Sequence, residues 1–154
     1  LASVLKCDQE VILNRAQQII KSNKLLQRQY SDLQSKFYLA QVPVWLEKAI
    51  AIGDNHQLIH VALDTVEVKS LRPILDTVKS SMSDGVVVLT TPQGSGLAVI
   101  IGVHGSADQA HDILKRMTEL SGGRGGGKAS LAQGVLQCTE LKTQNIVDII
   151  SEKS

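Results

Sequence analysis

From Ile12 to Phe37 the apolar positions fall into two rows. Ile12, Ile19, Leu26 and Leu33 are spaced by seven, and Ala16, Asn23, Tyr30 and Phe37 form a second row of the same spacing, offset by four. These are the d and a positions of about four heptads on one long helix. Asn23 is the polar member of the a row, where such a residue can set register. The flanking positions offer little charge pairing, and Leu13 and Ile20 widen the apolar face near the start. Asp8 is the expected N-cap, with Glu10 favourable in the first turn. Residues 1–6 then read as the tail of an earlier helix. The long helix is expected to stop near Ala40, because Pro43 disfavours helical geometry just before it. A second short helix is expected over Val44–Ile52, and Gly53-Asp54-Asn55 reads as a turn. The division expected is a helical stalk over 1–53 and a globular domain over 54–154. Four heptads are near the lower limit for a coiled coil. A dimerisation stalk and a single helix lying on a neighbouring segment both remain open.

The pattern then changes period. Leu58–Leu63 reads as a strand. Val68, Leu71, Leu75, Val78 and Met82 mark one face of a helix in which Pro73 is tolerable only near the first turn. Val86–Leu89 is wholly apolar, as in a sheet covered by other layers. Pro92-Gln93-Gly94-Ser95-Gly96 is hairpin chemistry, which makes Leu97–Val103 an antiparallel strand. Ser106 and Gln109 form a capping box for a helix burying Ala110, Ile113, Leu114, Met117 and Leu120, with Gly122 at its end. Val135–Leu141 reads as a short strand or an extended tail. Thr143 is placed to cap a last helix that buries Ile146, Val147, Ile149 and Ile150. The fold class expected is α/β: a long helical, coiled-coil stalk, then a small mixed-sheet β-α-β-β-α domain with a glycine-rich loop.

That loop is the stretch Gly122-Gly123-Arg124-Gly125-Gly126-Gly127-Lys128, followed by Ala129-Ser130-Leu131-Ala132-Gln133-Gly134. Glycine in this density costs backbone entropy and buries no side chain. Backbone N–H groups beside two cations suit phosphate oxygens. Arg124 can bind phosphate bidentately, and Lys128 is a movable point charge. Lys115 and Arg116, on the preceding helix, are candidates to extend the patch. A tight connection kept soluble by its charges is the competing reading.

Composition narrows the choice. The 154 residues are 43% hydrophobic, only 3% aromatic, and carry a net charge of +1. Few aromatics argue against a stacking platform for single-stranded bases, and near-neutrality confines any polyanion site to a patch. Residues 1–48 hold seven Lys/Arg against four Asp/Glu and the remainder nine against eleven, so the stalk is the more basic part. Cys7 and Cys138 have no paired spacing, which fits a reducing compartment. No apolar run reaches membrane-spanning length, and no membrane partner is expected. A chain beginning at Leu1 reads as a piece of a larger protein.

Enzymatic motifs fail on chemistry. Gly122–Lys128 spells G-x-x-x-x-G-K, but Ala129 stands where a P-loop needs a magnesium-binding hydroxyl, and a helix precedes it instead of a strand. His56, His60, His104 and His111 are the only histidines, no acidic residue is arranged with them in a metal-binding motif, and there is no H-E-x-x-H, so no metal site is expected. Neither cysteine has a histidine motif, there is no G-x-S-x-G elbow, and Gly94-Ser95-Gly96 is turn chemistry. No catalytic residue is assigned.

The glycine spacing, the cation at Lys128 and Ala132-Gln133-Gly134 together resemble the C-terminal domain of alanyl-tRNA synthetases, within the DHH-associated domain superfamily. The order of elements resembles that family over essentially the whole chain. Where the family often has Ala-Gln-Ala-Gly-Gly, Gln133 is followed here by Gly134-Val135-Leu136. The related phosphoesterases usually carry a histidine in the glycine motif, and the cations here favour the synthetase branch. The resemblance implies a noncatalytic tRNA-binding domain that contacts the elbow of an alanine-accepting tRNA and assists aminoacylation and editing. It assigns nucleic-acid binding to Gly123, Arg124, Gly125, Gly126, Gly127, Lys128 and Gln133, with Lys115 and Arg116 beside them. It further implies a parent alanine–tRNA ligase that uses ATP, Mg and Zn outside this stretch, contacts with the parent's other domains, and a cytoplasmic or mitochondrial setting. The oligomer seam would be Ile12, Ala16, Ile19, Asn23, Leu26, Tyr30, Leu33 and Phe37, forming a homodimer. The alternative is a dimerisation or protein- or DNA-interaction domain of the same synthetase with weak tRNA binding.

Overall fold

The structure is a computed structural model that describes residues 2–52, 56–64, 66–105 and 109–151. One helix, α1, runs unbroken from Ala2 to Glu47. Asp8 therefore lies inside the helix and caps nothing, since no Gly or Pro interrupts residues 2–7. Pro43 does not end it either. Tyr38 and Val42 are buried, with Trp45 and Leu46 half-buried beside them, so the last turns are held by core packing despite the backbone hydrogen bond lost at proline. The chain divides into two compact units, Leu1–Lys36 and Phe37–Ser154. In the first, every described side chain from Asp8 to Tyr30 is exposed.

In the second unit the segment expected as a separate short helix over Val44–Ile52 is divided: Val44–Glu47 is the end of α1, and Ile50–Ala51 is strand β1, paired antiparallel with β2, Gln57–Ala62. The turn expected at 53–55 lies outside the described residues. Helix α2, Val68–Ser80, crosses over to β3, Gly85–Gln93, which lies parallel to β2. Pro73 sits in the second turn of α2, exposed, while Leu71, Ile74, Leu75 and Val78 are buried. The start of the crossover is pinned by buried Thr91. Its hydroxyl donates to the Asp64 carbonyl at 2.9 Å and accepts from the Val66 N–H at 3.0 Å.

A two-residue turn joins β3 to antiparallel β4, Gly96–His104. Gly94 has φ +58 and Ser95 does not have positive φ, the pattern that a type II′ hairpin turn demands of its first central residue. Helix α3 spans Ala110–Ser121 with Gln109 at its N-cap. The capping box expected at Ser106 lies outside the described residues, and Gln109 itself makes no side-chain cap bond. Ala110, Ile113, Leu114 and Met117 are buried as expected, but Leu120, expected among them, is 73% exposed. Helix α4 is Thr143–Ser151. Its Ile146, Ile149 and Ile150 are buried and Val147 is half-buried.

The largest correction concerns the glycine-rich stretch, which is not a loop. Gly123–Gly127 is a strand, β5, and Leu131–Leu136 is its antiparallel partner, β6. The strand expected over Val135–Leu141 therefore begins earlier, at Leu131, and ends at Leu136. Only Lys128-Ala129-Ser130 form the connection. The six strands lie in the order β1-β2-β3-β4-β6-β5, which makes the glycine strand an edge. The central strands are covered on both faces, as their unbroken apolar runs require. Val86, Val88, Val99 and Ile101 pack with α3 and α4. Val87, Leu89 and Ile100 pack with α2 and the end of α1. The result is an α/β domain with a mixed sheet, preceded by a long helix.

Candidate nucleic-acid interface

Why a run of glycines becomes a strand follows from register. The Lys128 N–H donates to the Leu131 carbonyl at 2.7 Å, and the Gln137 N–H to the Gly122 carbonyl at 3.1 Å. In an antiparallel ladder this sets the alternation. Arg124 and Gly126 turn their N–H and C=O toward β6, while Gly123, Gly125 and Gly127 turn theirs outward along the free edge. Gly125 stands opposite Gly134 in a closely spaced, non-hydrogen-bonded pair. A Cβ on Gly125 would lie 2.6 Å from the Gly134 Cα and 2.8 Å from Leu114 Cδ2 of α3. Gly127 is equally confined by Leu131 and Ala132. Gly126 differs, because a Cβ there meets nothing within 4 Å. It faces open space, and the internal packing of the domain does not call for glycine at this position.

The face that carries Gly126 also carries Arg124, Gln133 and Val135, by the two-residue alternation of strands. It is the α2 side of the sheet, and α2 stops short of it. All of β5 is exposed. Arg124 borders a shallow depression with Gln93, Ser95 and Gln137. Lys128 stands at the other end of the strand, roughly 13 Å away at about 3.3 Å per residue. There it borders a cleft of about 470 Å³ with Arg72, Asp76, Lys79, Ser130 and Gln133. The Lys79 ammonium donates to the Ser130 carbonyl at 3.2 Å and so ties α2 to the hairpin connection. The Ala110 N–H donates to the Ala129 carbonyl at 2.8 Å and ties it to α3. Among the described residues, Arg72, Arg124 and Lys128 make no ion pair. Cations without ion-pair partners beside outward-facing amides are chemically suited to anionic ligands.

Lys115 and Arg116 do not join this patch. Helix α3 packs on the opposite face of the sheet. Lys115 is exposed on the outer side of that helix, and Arg116 Nη1 donates to the Ile149 carbonyl of α4 at 3.3 Å. Arg72, Asp76 and Lys79 were not singled out from the sequence. Their spacing of four and three along α2 was the available signal, a polar stripe beside the buried one.

Two of the histidines link distant parts of the domain. His56 Nδ1 lies 2.9 Å from Asp84 Oδ1. His60 Nδ1 is hydrogen-bonded at 2.8 Å to the Thr143 hydroxyl, so that side chain at the start of α4 is engaged by β2. Burial pushes the His60 pKa below its ordinary 6.5. Cys138 is half-buried against the α3–α4 core. Among the described residues no three His, Cys, Asp or Glu side chains converge as a metal site would need. No helix there is long and apolar enough to cross a membrane.

Comparison with known proteins places these features in context. The DHHA1 domain family matches residues 55–153. The chain is similar to the alanine–tRNA ligase of Saccharophagus degradans, at 29% identity over 136 residues. It is also similar to that of Psychrobacter cryohalolentis, at 31% over 137 residues. These alignments cover 86% and 87% of this chain, which spans about 15% of the length of each relative. Among solved structures it is similar to the C-Ala domain from Aquifex aeolicus alanyl-tRNA synthetase, with a TM-score of 0.59 and 25% identity. That likeness covers 68% of this chain and 95% of the other.

Proposed function

The chain belongs to the DHHA1 domain family, and on that footing we propose that it is the C-Ala-type domain of an alanyl-tRNA synthetase and binds tRNA. The observation that carries the proposal is the uncovered glycine strand with two cations at its ends, Arg124 and Lys128, which make no ion pair among the described residues. A strand that is glycine everywhere but Arg124 lets a sugar–phosphate backbone approach the sheet closely, and the two cations neutralise phosphates on either side. Such contacts position an RNA by its shape and backbone more than by its sequence. The domain is a noncatalytic appendage that holds tRNA while the parent aminoacylates and edits. ATP, Mg and Zn belong to other parts of that parent, in the cytoplasm or mitochondrion.

The test is a filter-binding titration with alanine tRNA, a second tRNA and a DNA duplex at two salt concentrations. Salt-sensitive binding to both tRNAs, with little to DNA, is expected. The double variant Arg124→Ala, Lys128→Ala should weaken tRNA binding and flatten its salt dependence by about two units of slope, with an unchanged circular-dichroism spectrum. Unaltered affinity in the folded double variant would remove these residues from the interface.

A second reading is supported by the stalk. Ile12, Ile19, Leu26 and Leu33 are each at least 60% exposed along one seam. A helix with this much apolar surface in water gains stability from a partner, and a second copy of the chain would supply matching heptads.

A further inference from the structure

The cleft between α2 and the β5–β6 connection contains a carboxylate that a simple phosphate site would not want. Arg72, Lys79 and Lys128 line it together with Asp76. Lys79 is committed in part to the Ser130 carbonyl. Among the described residues Asp76 has no hydrogen-bond or ion-pair partner, although Arg72 stands one turn before it. A carboxylate beside a bound phosphate is repulsive unless the same ligand brings a donor for it to accept. Every phosphodiester of RNA has such a donor nearby, the ribose 2′-hydroxyl, and DNA lacks it.

We propose that this cleft seats one RNA phosphodiester together with its ribose, and that Asp76 makes the site prefer RNA over DNA. Arg72 and Lys128 bind the non-bridging oxygens from the two sides. Asp76 accepts a hydrogen bond from the 2′-hydroxyl. Gly126, with no Cβ and open space above it, lets the sugar lie against the strand. The cleft volume, about 470 Å³, falls in the usual range of ligand sites, roughly 300–1,000 Å³. This inference rests on the tRNA-binding reading and adds to it the way the sugar is recognised.

The test measures binding of alanine tRNA and of the same sequence made as DNA, at one salt concentration, to the full chain and its variants. The unsubstituted chain should favour RNA by about tenfold, the scale of one hydrogen bond to a charged acceptor. Asp76→Ala should bring the RNA-to-DNA ratio close to one, partly by raising DNA affinity as repulsion is lost. Asp76→Asn, which keeps an acceptor oxygen, should retain part of the preference. Arg72→Ala should weaken both ligands alike and lower the salt slope by about one. Position 76 is exposed, so folding is not at stake. An unchanged ratio in Asp76→Ala, or equal binding of RNA and DNA by the unsubstituted chain, would overturn the inference and leave tRNA binding standing. Binding of neither ligand would overturn both.

Discussion

Replacing Gly125 and Gly126 by alanine, one at a time, separates the two reasons a glycine can occupy an edge strand. At Gly125 the new methyl group is driven to 2.6 Å from the Gly134 Cα and 2.8 Å from Leu114 Cδ2. One obstacle is backbone and the other belongs to a buried side chain of α3, so neither can move freely. Overpacking of this kind costs about 1–3 kcal/mol. The loss of unfolded-chain freedom returns about 0.4–1 kcal/mol. Gly125→Ala should therefore destabilise by roughly 1–2 kcal/mol, which for a chain of this size lowers the melting temperature by about 2–8 °C. At Gly126 the methyl group meets nothing within 4 Å and φ is not positive. Only the entropic gain applies, so Gly126→Ala should be as stable as the parent or more stable by up to about 1 kcal/mol. The same methyl group projects from the proposed RNA face, so tRNA affinity should fall even as stability holds. Urea unfolding gives the first quantity and filter binding the second. Equal stability of the two variants would refute the pairing of Gly125 with Gly134. A destabilised Gly126→Ala would refute the open face.

Two further outcomes are expected. Asn23→Leu should strengthen or alter self-association, on the scale of about 1.5–3 kcal/mol for each leucine buried in a partner helix; an unchanged sedimentation profile would count against the stalk as an oligomer seam. Stability should also depend on pH through His60, whose pKa is lowered by burial in the folded state. The unfolded chain binds the proton more readily, so stability is full above the ordinary value of 6.5 and is lost as pH falls toward the depressed folded value. Urea midpoints at about pH 7.5 and about pH 5.5 should therefore differ less in His60→Gln than in the parent, since the two values bracket the ordinary histidine pKa of about 6.5; the same difference in both would show that other groups carry the effect.

Much of the fold is written in local pattern. The apolar runs at Leu58, Val86 and Leu97 are bounded by turn residues, and each became a strand. The buried stripes of α2, α3 and α4 follow the helical period almost residue by residue. Several of the misreadings share a cause, the use of a local rule where a distant surface decided. Proline at 43 and 73 is a poor helix former. Yet Tyr38 and Val42 in one helix, and Leu71 and Ile74 in the other, bury enough surface to carry both through. Leu120 fits the helical period but is exposed in the fold.

The candidate site divides in the same way. The residue types at Arg124 and Lys128, the glycine density and the relation to Ala132-Gln133-Gly134 were all legible, because side-chain chemistry and spacing are properties of the chain alone. That the glycines form a strand was not legible. Glycine has little intrinsic preference for an extended ladder, and this strand exists because β6, already seated on β4, presents Gly134 to it at a distance only glycine tolerates. Nor could spacing say which cations share a surface. Lys115 and Arg116 are close to the motif in sequence and lie on the far side of the sheet, while Arg72, Asp76 and Lys79 are some fifty residues away and border the same cleft as Lys128. Sequence by itself determined which groups this domain has to offer. The side of the sheet on which each helix packs, a matter of long-range burial, decided which of them can act together.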